Sequence, residues 1–140
     1  MSGTALFLLD TNMASYILSG RSPAARQKMR EVQVYAGVAV SALTQGEILF
    51  GVERKPEALR LRAAVETFLG AVEILPWDAS VAPAYGKLRA GLGTAGKSLS
   101  GLDMLIAGHA LASGATLVSH DGAFQHASHF LPVVDWATDL

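Results

Sequence analysis

Asp10, Glu47, Asp103 and Asp121 each stand where an apolar run ends or a helical pattern begins. Asp10 closes Ala5-Leu6-Phe7-Leu8-Leu9, and Asp121 follows Thr116-Leu117-Val118-Ser119-His120. Glu47 opens a helical pattern just after Val38-Ala39-Val40-Ser41, and Asp103 heads Leu102-Asp103-Met104-Leu105-Ile106-Ala107. If those runs are neighbouring strands of one sheet, the carboxylates meet at one rim. Gathered anions require a cation, and an all-oxygen donor set suits a hard divalent ion, Mg²⁺ or Mn²⁺.

The elements that would position these acids can be read from the apolar patterning. Residues 5–9 form a short, continuously apolar run, the mark of a strand covered on both faces. Asp10 or Thr11 then caps a helix reaching about Leu18, and Ser19-Gly20-Arg21-Ser22-Pro23 breaks the chain before a charged helix over 24–32. A second strand is predicted over 37–41, a helix over 43–53, and another from Pro56, in the favoured first-turn position, to Leu69. Strand three covers 72–75, followed by a helix over 80–92 and a glycine-rich loop over 91–96. A helix from Gly101 to Ser113, a strand over 116–119 and a short last strand at Val133-Val134 complete the chain. Strands alternating with helices imply a largely parallel sheet. The Lys97-Ser98 pair after the glycines lacks the spacing of a P-loop.

At 140 residues the chain is expected to be a single domain, 1–140, with a substantial core. With 51% apolar and only 16% charged residues, it is patterned as a folded protein, not a disordered one. The absence of cysteine excludes a disulfide framework, a thiolate nucleophile and a Cys-based zinc site, and is compatible with a reducing cytoplasm. Met1-Ser2-Gly3-Thr4 carries no basic segment, and the apolar run behind it is too short for a signal peptide or membrane span. A net charge of −1 provides no global basic field, so any nucleic acid would be held by local patches.

Each acid taken alone also fits an ordinary role. Asp10 before Thr11-Asn12 reads as a helix N-cap, Ser100-Gly101-Leu102-Asp103 as a variant capping box, Asp121-Gly122 as a turn, and Glu47 as a solvated helix residue. The set is harder to dismiss, because ligands of open α/β sheets gather beyond the carboxyl ends of the strands. Asp78 also follows a strand and is the best decoy, while Asp135 and Asp139 are read as part of the terminal tail. His109, about 240° round a helix from Asp103, is assigned a core or surface role. His126 and His129 lack further zinc-type ligands. His120 alone stands near the pocket.

Leu9-Asp10-Thr11-Asn12 and Ser41-Ala42-Leu43-Thr44-Gln45-Gly46-Glu47-Ile48-Leu49-Phe50-Gly51 resemble the opening of a PIN-domain ribonuclease. Asp103-Met104-Leu105-Ile106-Ala107-Gly108-His109-Ala110 and Leu117-Val118-Ser119-His120-Asp121-Gly122-Ala123-Phe124 look like its third and fourth acidic motifs. The match runs from residue 6 to 136 and is nearest to VapC toxins of toxin–antitoxin pairs. The resemblance implies an α/β fold, a PIN-like three-layer α/β/α sandwich with a mainly parallel central sheet. It implies a Mg²⁺- or Mn²⁺-dependent endoribonuclease of the toxin kind, a homodimer kept silent by a small antitoxin, with no membrane association. By position, Asp10 and Asp103 become the metal ligands, and Glu47 and Asp121 complete a catalytic quartet. Ser119 supplies a hydroxyl near the site, and Thr11 or Asn12 supports Asp10. His120 departs from the family, which more often has a small polar residue there.

RNA contact is expected from three basic clusters: Arg21, Arg26, Lys28 and Arg30; Arg54-Lys55 with Arg60 and Arg62; and Lys87, Arg89 and Lys97. Ile48-Leu49-Phe50 and the stripe through Leu59, Val65 and Phe68-Leu69 exceed what one small core requires, so part of them is expected to meet a partner. Competing readings are a PIN nuclease of RNA processing without an antitoxin and a catalytically idle binding module. A phosphohydrolase with Asp10 as nucleophile is disfavoured by Asn12, where such enzymes place a second Asp.

Overall fold

In the computed structural model, residues 5–140 are described. The strands are β1 (Leu6–Leu9), β2 (Gly37–Ser41), β3 (Glu73–Leu75), β4 (Thr116–Val118) and β5 (Val133–Val134). The helices are α1 (Thr11–Ser19), α2 (Pro23–Val32), α3 (Ala42–Glu53), α4 (Leu59–Gly70), α5 (Ala82–Thr94) and α6 (Gly101–Ser113), with a 3-10 helix over Gly122–Ala127. All strand pairings are parallel, in the order β3-β2-β1-β4-β5.

Side chains alternate across a strand, and both faces of this sheet are covered. Leu9, Val38, Val40 and Val118 pack with Met13, Ile17, Met29, Val65 and Phe68 from α1, α2 and α4. Leu8, Ala39 and Leu117 face the opposite way, against Leu88, Leu92, Ile106 and Phe124 from α5, α6 and the 3-10 helix. Two cores therefore sandwich one sheet, the three-layer arrangement expected, and the doubly covered strands explain their unbroken apolar runs. Among the described residues no helix is long and apolar enough to cross a membrane.

Two expected boundaries move for identifiable reasons. The helix predicted from Pro56 begins only at Leu59, because Ala58 N–H closes a turn onto Lys55 C=O at 2.9 Å with Pro56 inside it. The predicted loop over 91–96 is instead largely helix, since α5 continues to Thr94. Its Leu88 and Leu92, one turn apart, are fully buried and hold that turn in place. Gly91 is there for clearance: a Cβ would stand 2.6 Å from the Phe130 ring. Helix α5 ends in a Schellman turn, with Gly96 at φ +71° and Lys97 N–H donating to Leu92 C=O at 2.8 Å.

The terminal tail, where Asp139 lies, is tied down. Ser22 Oγ donates to Asp139 at 2.6 Å and Ala24 N–H at 3.1 Å, so the acid sits at the positive N-terminus of α2. Helices α5 and α6 are in close contact at Gly108, where a Cβ would lie 3.0 Å from Tyr85 Cα. Backbone cannot yield there as a side-chain tip does. Gly108→Ala should therefore destabilise the fold by about 1–3 kcal/mol, read as a lower urea midpoint with unchanged slope; an unchanged midpoint would show that the two helices have slack.

Candidate active site

The strand register sets out the site. Leu9 pairs with Val40 on one side and Val118 on the other, and Val118 pairs with Val134. The residues one step beyond, Ser41, Asp10, Ser119 and Asp135, therefore form a row along the carboxyl edge of the sheet. Asp10 N–H donates to Val118 C=O at 3.1 Å and Ser119 N–H to Val134 C=O at 2.8 Å, so the ladder extends into this row. Beyond it each chain turns into a helix. Asp10 Oδ1 caps α1 by accepting from Met13 N–H at 2.7 Å, and Ser41 Oγ caps α3 through Leu43 N–H at 3.1 Å. Both the N-cap reading and the pocket reading of Asp10 are thus served by the same carboxyl.

Asp10 is only 3% exposed. Its pKa is raised from 3.8 to about 6, chiefly by burial, with the negative charges of Asp103 and Asp121 adding to the rise. The Ser119 hydroxyl and the Met13 N–H oppose the shift by hydrogen bonding to the carboxyl. Ser119, itself buried, accepts from Asp121 N–H at 3.0 Å, which fixes the turn carrying Asp121 beside the rim. Asp121 Oδ1 accepts from Ala123 N–H at 2.9 Å and caps the 3-10 helix. Asp103 lies in the first turn of α6, whose cap is Ser100, at 3.3 Å from Asp103 N–H. Two of the acids predicted from sequence, Asp103 and Asp121, therefore act electrostatically on a third, Asp10. Glu47 is exposed on α3.

Among the described residues no three His, Asp or Glu side chains stand close enough to form a ready-made metal cage. The donor chemistry still fits a hard divalent ion: carboxylate oxygens only, one of them buried and disfavoured in its charged form by two neighbours. A Mg²⁺-sized ion takes one or two carboxylates and keeps several waters, so a closed cage is not what such a site requires.

Of the neighbouring groups, His109 and Asp78 keep their sequence readings, while Thr11, Arg26 and Asp135 do not. Thr11 does not bond to Asp10; its hydroxyl meets that of Thr44 at 3.0 Å and joins the first turns of α1 and α3. His109 is buried, its Nδ1 2.9 Å from Ser41 Oγ, and burial lowers its pKa, so α6 is bridged to the start of α3 by a neutral pair. Asp78, the decoy, is spent on a turn, accepting from Ser80 N–H at 2.9 Å and Oγ at 2.6 Å. Arg26 is not free for phosphate: its guanidinium donates to the carbonyls of Ile17 and Leu18, at 2.7 and 3.2 Å from Nη2, and closes the end of α1. Asp135 was missed as a rim residue, although it directly follows Val134 as Asp10 follows Leu9 and Ser119 follows Val118. It accepts from His120 Nδ1 at 2.7 Å.

Against known proteins, the PIN domain family profile matches residues 7–129. The tRNA(fMet)-specific endonuclease VapC of Shigella flexneri is 29% identical over 115 residues, 82% of this chain and 86% of that protein. Ribonuclease VapC2 of Haemophilus influenzae is 30% identical over 115 residues with the same coverage, 82% and 86%. Among solved structures, VapBC2 of Rickettsia felis bound to a DNA fragment from its promoter superposes with TM-score 0.85 and 26% identity, covering 94% of this chain and 98% of that one. DNA-bound VapBC of Salmonella typhimurium gives TM-score 0.82 at 27% identity, with the same coverage, 94% and 98%.

The electrostatics of Asp10 generate a pH test. Below 3.8 the folded and unfolded chains both carry the proton, so the group contributes nothing. Between 3.8 and about 6 the unfolded chain ionises first and the fold loses stability, by about 3 kcal/mol once both are ionised. Asn at this position keeps the cap but not the charge. In metal-free buffer, Asp10→Asn should melt higher than the parent at pH 8, with the gap closing by pH 4. A gap independent of pH would contradict the assignment.

Proposed function

The chain belongs to the PIN-domain family, and from that premise we propose that it is a divalent-metal-dependent endoribonuclease acting as the toxin of a toxin–antitoxin pair. The single observation that carries the chemical part is the buried Asp10 carboxyl, placed under the charges of Asp103 and Asp121 at a strand edge. We read the whole chain, 1–140, as one such domain working in the cytoplasm.

In this reading Asp10 and Asp103 hold Mg²⁺ or Mn²⁺, and Glu47 and Asp121 complete the acidic site. When bound, such an ion lowers the pKa of its water and neutralises phosphate charge. The protein's own share is positional. The Met13 N–H fixes Asp10 Oδ1, and Ser119 fixes the Asp121 turn through the Asp121 N–H. Asp103 is carried in the first turn of α6, behind the Ser100 cap. Glu47 is exposed on α3 and would reach the site from the solvent side.

The solved relatives are described as VapBC complexes, and two surfaces here are suited to partners. A groove of about 510 Å³ between α1–α2 and α4 is lined by Ile17, Leu18, Met29, Ala64 and Phe68, with Arg30 beside them. We assign it to an apolar segment of the antitoxin. Leu49 and Phe50 on α3 and Leu59 on α4 are 43%, 57% and 73% exposed, and we assign that face to a second copy of the chain.

Purified protein incubated with labelled transfer and ribosomal RNAs should cut with Mg²⁺ or Mn²⁺ and not with EDTA. Asp10→Asn and Asp103→Asn should each slow cleavage about a hundredfold or more while circular dichroism stays unchanged, since several kcal/mol of charge stabilisation depend on the ion. Full activity in either variant would refute the site. Expression should arrest growth, and a co-expressed antitoxin should relieve it. Ala64→Arg should preserve the arrest and abolish the relief; relief that persists would remove the groove from the account.

A further inference from the structure

Beside the acidic rim lies an array that cleavage chemistry does not use. His120 is placed between Ser119 and Asp121, and its Nδ1 meets Asp135 Oδ2 at 2.7 Å. Asp135 is itself fixed, its Oδ1 accepting from Ala137 N–H at 2.8 Å. The His120 ring stands edge-on to Tyr16 of α1, with centroids 6.3 Å apart and planes at 80°. Arg21 Cζ lies 5.3 Å from the Tyr16 ring centroid. A guanidinium, a phenol and an imidazole are thus connected in a line that begins one residue from Asp121.

Stability does not account for the array. His120 and Asp135 remain 35% and 39% exposed, and exposed ion pairs contribute little to folding. Arg21 is exposed, and Tyr16, packed against the core, is only partly buried. What these groups share is an ability to bind single-stranded nucleic acid: aromatic faces take bases, and a cation takes the phosphate between them. The acidic rim repels a polyanion, so a cation beside it is needed to admit one. With Arg26 committed to α1 carbonyls, Arg21 is the cation of its cluster linked to the rim.

We propose that Tyr16, His120 and Arg21, with Asp135 as the positioning residue for His120, form a subsite holding a nucleotide that flanks the scissile bond of a single-stranded RNA. Asp135 fixes the imidazole plane, the two rings contact the base, and Arg21 contacts its phosphate. The subsite rests on the nuclease reading only for the choice of RNA as ligand. It needs no metal to bind.

The test is fluorescence anisotropy of a short labelled single-stranded RNA in EDTA, where binding is read without cleavage. Tyr16→Leu, which keeps apolar bulk, and His120→Asn, which keeps a partner for Asp135, should each raise Kd about tenfold. Both penalties should vanish on an abasic ribose-phosphate oligomer of equal length, whereas the penalty of Arg21→Gln should persist there. A merely structural role has no reason to depend on the base. Asp135→Asn should weaken binding less than loss of the His120 ring. Unchanged affinities in Tyr16→Leu and His120→Asn, or penalties equal on both oligomers, would overturn the subsite; should one variant fail to melt as the parent does, the other decides. Absence of cleavage by the parent with Mg²⁺ or Mn²⁺, with these base-dependent penalties intact, would sink the nuclease reading and leave these residues as a nucleotide-binding site without a scissile bond beside it.

Discussion

A carboxyl group held out of water beside two others of the same sign is the constraint on which this molecule turns. Asp10 caps α1, extends the end of β1 and stands in the row of residues just beyond the strands, so the backbone fixes its place. Its charge is opposed first by burial and then by Asp103 and Asp121. A fold does not gain stability from that arrangement. It becomes favourable when a cation replaces the missing solvation, which makes the site a latent ion-binding device.

The parallel sheet is what makes such a place. Because β1, β2, β4 and β5 all run the same way and are in register, their carboxyl ends stop at one level, and the four residues beyond them must be neighbours. Helices on both faces then bring their N-termini toward that level, as α1 and α3 do directly. The Thr11–Thr44 hydroxyl pair and the His109–Ser41 bridge tie those helix starts to one another and to α6. Electrostatic strain at the rim is thus supported by two apolar cores that do not share it.

The sequence revealed the sheet well, because doubly covered strands read as unbroken apolar runs. Asp10, Asp103 and Asp121 were legible because each sits at a junction between such a run and a helix or turn. Other parts were hidden for physical reasons. Glycine patterning suggested a loop at 91–96, whereas Gly91 serves the close approach of Phe130 and Leu92 fixes the helix through it. Pro56 suggested a helix start where a turn forms. Asp135, His120 and Tyr16 could not be joined from sequence, since their contact depends on β5 lying beside β4. Arg26 looked like a phosphate ligand, and its carbonyl partners became visible only when α1 and α2 were seen to pack.

The most direct probe of the central claim is the carboxyl carbon resonance of Asp10, followed by NMR across pH in metal-free protein. Its midpoint should lie near 6, fall slightly when Asp103 is replaced by Asn because burial remains, and fall when Mg²⁺ is added. A midpoint near 3.8 that ignores both Asp103 and Mg²⁺ would mean that the acids do not share a site.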